Sequence, residues 1–335
     1  MTRIITFLTI FLVTLTAQAD IVIEPSSSYK KGAVPVQFSG IKEIVTQSMI
    51  DIDYYNSPTQ KVEVYAPENI TKYITVTHKD KSLSVKFNQS LTIKGNCTVK
   101  ITVYSPDVTS FRTNSSGNIR LMNAIERDSE VVCITNSSGD ITGSNIKAPR
   151  IKLITNSSGE IKFESLKGIS VNTICNSSGD IRGESVIAQS VSFYNNSSGD
   201  IFFNKIVSNT FSASTNSSGD ITVSNSLNSA NIRAVSSSSG DIRLSGITSD
   251  AVDATSGSTS SIILRGVCDY AKLSSSSSSD IIAGGLKAKT VAATTSSSSS
   301  SIKCYAVNRL EMRQSRNSTI LNCGPKHTTR ITTED

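Results

Sequence analysis

One phrase, Asn-Ser-Ser-Gly-Asp-Ile, returns unchanged at residues 136–141, 176–181, 196–201 and 216–221. Near copies end at Ile119 and Ile161, and Ser-rich versions end at Ile242, Ile262, Ile281, Ile302 and, more raggedly, Ile320. The steps between successive isoleucines are 22, 20, 20, 20, 20, 21, 20, 19, 21 and 18 residues. A fixed period near twenty defines a repeat protein. Each unit of such a chain contacts only its neighbours, so the sequence specifies a shape well and a chemistry poorly.

With the isoleucine as position 0, position +2 is apolar or small (Leu121, Gly143, Phe163, Gly183, Phe203), and position +5 is aliphatic (Ile146, Leu166, Val186, Ile206). Ten residues before it stand Val131, Ile151, Val171, Val191 and Phe211. This period of two marks half-buried strands, and no helical spacing persists. A twenty-residue coil cannot close a core alone, whereas stacked coils bury the same column rung on rung, roughly 4.8 Å apart. The expected fold is all-β: a right-handed parallel β-helix of about ten coils, roughly 50 Å long on that spacing. The Asn-Ser-Ser-Gly segment is the corner. Its asparagines (Asn114, Asn136, Asn156, Asn176, Asn196, Asn216) should form an amide ladder. Glycine removes a Cβ clash there. Because Ser260, Ser279 and Ser300 later take its place, the corner is not expected to demand it strictly.

Residues 1–19 read as a signal peptide: Arg3, a short apolar run, and Ala17-Gln18-Ala19 as cleavage site. The chain is therefore expected to be exported, to the periplasm, the outer membrane surface or the exterior. No later segment is apolar enough for a transmembrane helix. Without Arg3 the chain has 32 basic and 27 acidic residues, a mild excess. That mild excess argues against a nucleic-acid surface, and the absence of tryptophan with few aromatics argues against a stacking platform for bases or sugars. Among the six cysteines, Cys304 and Cys323 lie one rung apart and are the disulfide candidate, while Cys133 is expected to pack as a small core residue. With no Cys-x-x-Cys pair and only His78 and His327, no zinc site and no cofactor are expected.

Residues 20–110 lack the phrase but still alternate as strands, and are expected to form a β cap over one open end of the helix repeats at 111–325. Asp80-Lys81-Ser82 reads as a turn. Residues 326–335 read as a polar, frayed tail. The order of motifs is informative. Residues 36–41 (VQFSGI), 50–53 (IDID), 62–64 (VEV), 83–85 (LSV) and 99–106 (VKITVYSP) precede the first Ser-Gly-Asn-Ile rung. This series resembles the head GIN domain family of putative auto-transporter adhesins, frequent in Bacteroidetes. The resemblance covers nearly all of the mature chain. It implies an exported β-solenoid and no catalytic residues. The C-terminal stretch is too short for a translocating barrel, so a complete auto-transporter is not expected.

The candidate site is the column just before the isoleucines: Asp140, Glu160, Asp180, Asp200, Asp220, Asp241 and Asp280. Stacked carboxylates repel. Calcium could offset this, since hard cations take oxygen ligands. The favoured account uses position +1 instead, where Arg120, Lys162, Arg182, Arg243 and Lys303 would form diagonal ion pairs across rungs. A β-helix lyase or hydrolase would need a carboxylate cluster that breaks the repeat, and no rung stands out in sequence. An ice-binding face would need a regular threonine ladder; position −6 offers Thr135, Thr155 and Thr215, but Cys175 and Asn195 interrupt it. The expected function is a non-catalytic exported envelope or surface rod that binds a glycan or a surface protein. The alternatives are a periplasmic structural or envelope-stress component and a carbohydrate-active enzyme.

Overall fold

The computed structural model describes residues 21–34, 39–325 and 329–333. The expected signal peptide and residues 36–38 of the first family motif lie outside these. The described residues are nearly all-β, with 64% in strands and one helical turn at Glu68–Thr71, and the coils stack into a β-solenoid of about 11 turns. Strands of successive coils pair parallel and in register, so that Ile141 lies opposite Ile161, which lies opposite Ile181. From Ile119 to Ile302 the repeated isoleucine is never more than 1% exposed. In the +2 column large and small residues alternate. A Cβ on Gly143 would meet the Phe163 ring at 2.7 Å, and one on Gly183 would meet the Phe203 ring at 2.4 Å. Glycine on one rung thus makes space for phenylalanine on the next.

The stack begins earlier in the chain than the phrase does. Glu43–Thr46 pairs with Ser110–Thr113, and Asp51–Asn56 pairs with Ile119–Leu121, placing Ile52 in the isoleucine column. Ser82–Phe87 and Lys100–Ser105 then pair on the other edge of those two strands. The spatial order is therefore 82–105, 43–56, 110–121: the second coil in sequence lies outside the first. Antiparallel strands finish this end: Ile74–Lys79 on Ser82–Phe87, and Lys61–Pro67 on Lys100–Ser105 with Tyr29–Ala33 on its outer edge. They occupy the edge hydrogen bonds that an open stack would leave unpaired. The turn at Asp80 and Lys81 has φ of 52° and 66°, the two-residue geometry that matches strand twist. At the other end, within the stretch read as a tail, Thr329–Thr333 pairs with Leu310–Gln314 of the last long strand.

The corners come in two kinds. At Gly139 and Gly159 φ is not positive; the constraint is close approach. A Cβ on Gly139 would stand 2.2 Å from the Gly117 carbonyl oxygen, and one on Gly159 would stand 2.3 Å from that of Gly139. Here glycine is required, contrary to the expectation above. Serine replaces it only where the corner changes shape. Ser260, Ser279 and Ser300 donate their N–H to the carbonyl three residues back, and Ser258 and Ser277 take positive φ. The position −6 column does not face solvent. Thr135, Thr155, Asn195 and Thr215 are fully buried. Thr155 and Thr215 donate to the carbonyls of Gly179 and Gly219 at 3.0 and 2.8 Å. This column satisfies buried corner carbonyls, so no outer threonine ladder exists there.

Candidate functional site

Register places Asp140, Glu160, Asp180, Asp200, Asp220, Asp241 and Asp280 in one column beside the buried isoleucines, and extends it back through Asn118 to Asp51. Five of the seven, Asp140, Asp180, Asp200, Asp220 and Asp241, have a backbone task that sequence reasoning missed. Oδ1 of Asp180 accepts the N–H of Asp200 at 2.8 Å; Asp200 accepts from Asp220 at 2.9 Å, and Asp220 from Asp241 at 2.8 Å. Asp140 accepts from Glu160 at 2.8 Å, and Asn118 does the same for Asp140 at 2.9 Å. Asn118 performs this without a charge, so what the column needs is an acceptor oxygen at that reach. The fact that Asp and Asn share the column was the available signal.

Four of the seven carboxylates also meet arginines. Arg182 bridges Asp180 at 2.7 Å and Glu160 at 3.1 Å. Arg243 bridges Asp241 at 2.6 Å and Asp220 on the preceding rung. The hydrogen bonds donated to Asp180 and to Asp220 hold both guanidinium groups above their ordinary pKa. The pairs to Glu160 and Asp220 are diagonal, those to Asp180 and Asp241 lie within a rung, and Lys162 and Lys303 form no ion pair among the described residues. Among the described residues no group of three or more His, Cys, Asp or Glu is disposed to hold a metal ion.

Position +1 lacks a cation at Thr142, Phe202, Thr222, Ile263 and Ile282, and Phe202 is the one aromatic among them. At position +1 beside Asp200 stands Phe202, half-buried, in register with Arg182 and Thr222. Phe202 closes one end of an open groove of about 760 Å³, which runs along the rod past Arg182, Glu184, Lys162 and Glu164 to Arg120. Beside it, Asn204 donates to Glu184 at 3.3 Å and accepts from Ser224 at 2.9 Å. An aromatic face next to carboxylates and amides is suited to a hydroxylated ligand. At the corner, the asparagine ladder is continuous from Asn114 to Asn216, with amide bonds of 2.7 to 3.2 Å.

Cys304 is buried and Cys323 exposed, both as free thiols, and the Cys323 N–H donates to the Cys304 carbonyl at 2.8 Å. Cys133 is buried in the core. His78 lies on a cap strand, and His327 is outside the described residues.

A parallel stack of coils closed by antiparallel strands defines a β-solenoid. The family model described as putative auto-transporter adhesin, head GIN domain, matches residues 38–226 and again 206–325, and the chain belongs to this family. Among solved structures, a putative adhesin from Bacteroides fragilis NCTC 9343 is 20% identical with a TM-score of 0.52; the match covers 72% of this chain and 98% of that one. A putative adhesin from Parabacteroides merdae ATCC 43184 is 15% identical with a TM-score of 0.34, over 94% and 97% of the two chains. Comparison with curated proteins finds no match.

Proposed function

We propose that this chain is an exported, non-catalytic rod of the cell envelope that binds a glycan or a protein through its polar outer faces. The observation that carries this reading is the commitment of the acidic column. Most of its carboxylates are engaged by backbone N–H groups or arginines, which supports a structural rather than a catalytic role for the column. Binding would consist of weak polar contacts repeated along a rigid body, multiplied where several copies are displayed. The groove ending at Phe202 is the best-equipped part of that surface, with a ring to stack on and amide and carboxylate groups to bond hydroxyls.

The first test is protease treatment of intact cells. Cleavage of this protein would place the rod outside, and binding of purified rod to immobilised glycans should then fall with Phe202→Ala. Protection in intact cells, with cleavage after outer-membrane permeabilisation, would replace the adhesin reading with a periplasmic one.

A further inference from the structure

The charge excess of the rod is concentrated at one end. Residues 20–280 hold 24 basic and 24 acidic side chains, whereas residues 281–325 hold six basic and one acidic. All six cations, Lys287, Lys289, Lys303, Arg309, Arg313 and Arg316, are exposed. Lys289 is paired with Asp269 at 2.7 Å, and Arg309 with Glu311. Lys303, Arg313 and Arg316 make no ion pair among the described residues.

These three do not share a face. Lys303 follows the isoleucine column, opposite Ile282. Arg313 lies on the later part of the same coil, opposite Thr294. Arg316 sits on the corner closed by the bond from the Ser318 N–H to the Ser315 carbonyl. Cations thus surround the end of the rod. A linear polyanion would follow one face, whereas a girdle meets a flat anionic surface end-on. Ile282 and Leu321 flank Lys303 in its column, 42% and 52% exposed, and give the same end apolar side chains to set against such a surface. A second copy stacked head to tail fits poorly. The opposite end is also basic, with six lysines and three carboxylates between residues 57 and 98.

We propose that the C-terminal end of the rod docks on a lipid surface that carries anionic headgroups. The test is co-sedimentation of the full chain with phosphatidylcholine vesicles and with mixed phosphatidylcholine–phosphatidylglycerol vesicles. Binding to the mixed vesicles alone, weakened by salt, is expected. Each cation removed should weaken it on the order of fivefold, so the triple variant Lys303→Ser, Arg313→Ser, Arg316→Ser should lose on the order of a hundredfold. A mid-rod control, Lys152→Ser, Lys167→Ser, Lys205→Ser, should bind as the parent does. Circular dichroism and Tm establish that both variants are folded. Equal binding to neutral vesicles, an unchanged triple variant, or tighter binding to soluble polyglutamate than to vesicles would each overturn the proposal.

Discussion

Arg120 Nε lies 2.7 Å from a carboxylate oxygen of Asp53, a residue 67 positions earlier in the chain. The same carboxylate takes Lys100 at 2.9 Å, and Arg120 reaches on to Asp51 at 3.0 Å. Three rungs that follow one another in space but not in sequence are joined by this cluster, and the Asp53 side chain is only 7% exposed. Asp53→Ala would leave two cations facing a hollow, and should cost about 3 kcal/mol, as when a buried pair loses one partner. Arg120→Ala leaves Asp53 with Lys100 and should cost less, about 1–2 kcal/mol. Urea unfolding of both variants checks the order; an Asp53→Ala midpoint equal to the parent's would show that the junction is held by its apolar core alone.

Tyr54 gives the rung at 43–56 its own pH dependence. Its ring is fully buried, its hydroxyl donates to the Ser105 carbonyl at 2.8 Å, and Arg127 Nη2 donates to that hydroxyl at 3.0 Å. Burial, only partly offset by Arg127, pushes the phenol from 10.0 up to about 12. The unfolded chain therefore ionises first as pH rises. Stability is whole below about pH 10 and is lost between 10 and 12, by roughly 2–3 kcal/mol at 1.36 kcal/mol per unit. Tyr54→Phe should flatten that part of the Tm-against-pH curve and cost about 1 kcal/mol at neutral pH. An unchanged alkaline slope in the variant would assign the loss to other groups.

What sequence revealed and what it hid divide along one physical line. The isoleucine column, the asparagine ladder and the diagonal Arg–Asp pairs were legible because the same residue recurs at the period of the stack. The rung at 43–56 was hidden because its neighbours in space are residues 82–105 and 110–121, an order that no period encodes. The backbone task of the acidic column was hidden because its donor is an N–H, present in every residue and so invisible in composition. The role of the position −6 threonines was hidden because the corner carbonyls that need their hydroxyl donors are not visible in sequence.

The corner glycines give the sharpest contrast. Gly159→Ala would put a methyl group 2.3 Å from the Gly139 carbonyl oxygen, a clash between two backbones with no side chain to yield. A loss of about 3 kcal/mol or more is expected, of the size found for overpacked sites. Gly257→Ala, in a serine-type corner where the nearest atom is 3.5 Å away, should lie within about 0.5 kcal/mol of the parent. Similar losses at both positions would mean that the two corner types do not differ in the way described.

In the acidic column, acceptor and charge can be separated. Asp200→Asn keeps an oxygen for the Asp220 N–H, as Asn118 does for Asp140, and should be nearly neutral. Asp200→Ala leaves that N–H without its acceptor and should cost about 1–2 kcal/mol. A calcium ladder predicts otherwise: addition of calcium would raise Tm, chelation would lower it, and Asp200→Asn would blunt both. Thermal scans with calcium and with chelator decide between them, and no response to either is expected.

We propose that Cys304 and Cys323 form a disulfide once the chain reaches an oxidising compartment. They lie on adjacent rungs, with Asn322 directly opposite Cys304 and Cys323 one residue further on. That arrangement brings the Cα atoms within bridging reach. The two thiols are unequal. Burial, with a smaller contribution from nearby Cys323, pushes Cys304 up to about 11, so at neutral pH it is almost entirely protonated. Cys323 is exposed and must supply the attacking thiolate. In the reduced, native protein iodoacetamide should therefore modify Cys323 promptly and reach Cys304 only on unfolding. After oxidation, non-reducing peptide mapping should recover the two as one linked pair. If both alkylate at the same rate in the native rod, Cys304 is not shielded as described; if the linked peptide never forms, the bridge is not made.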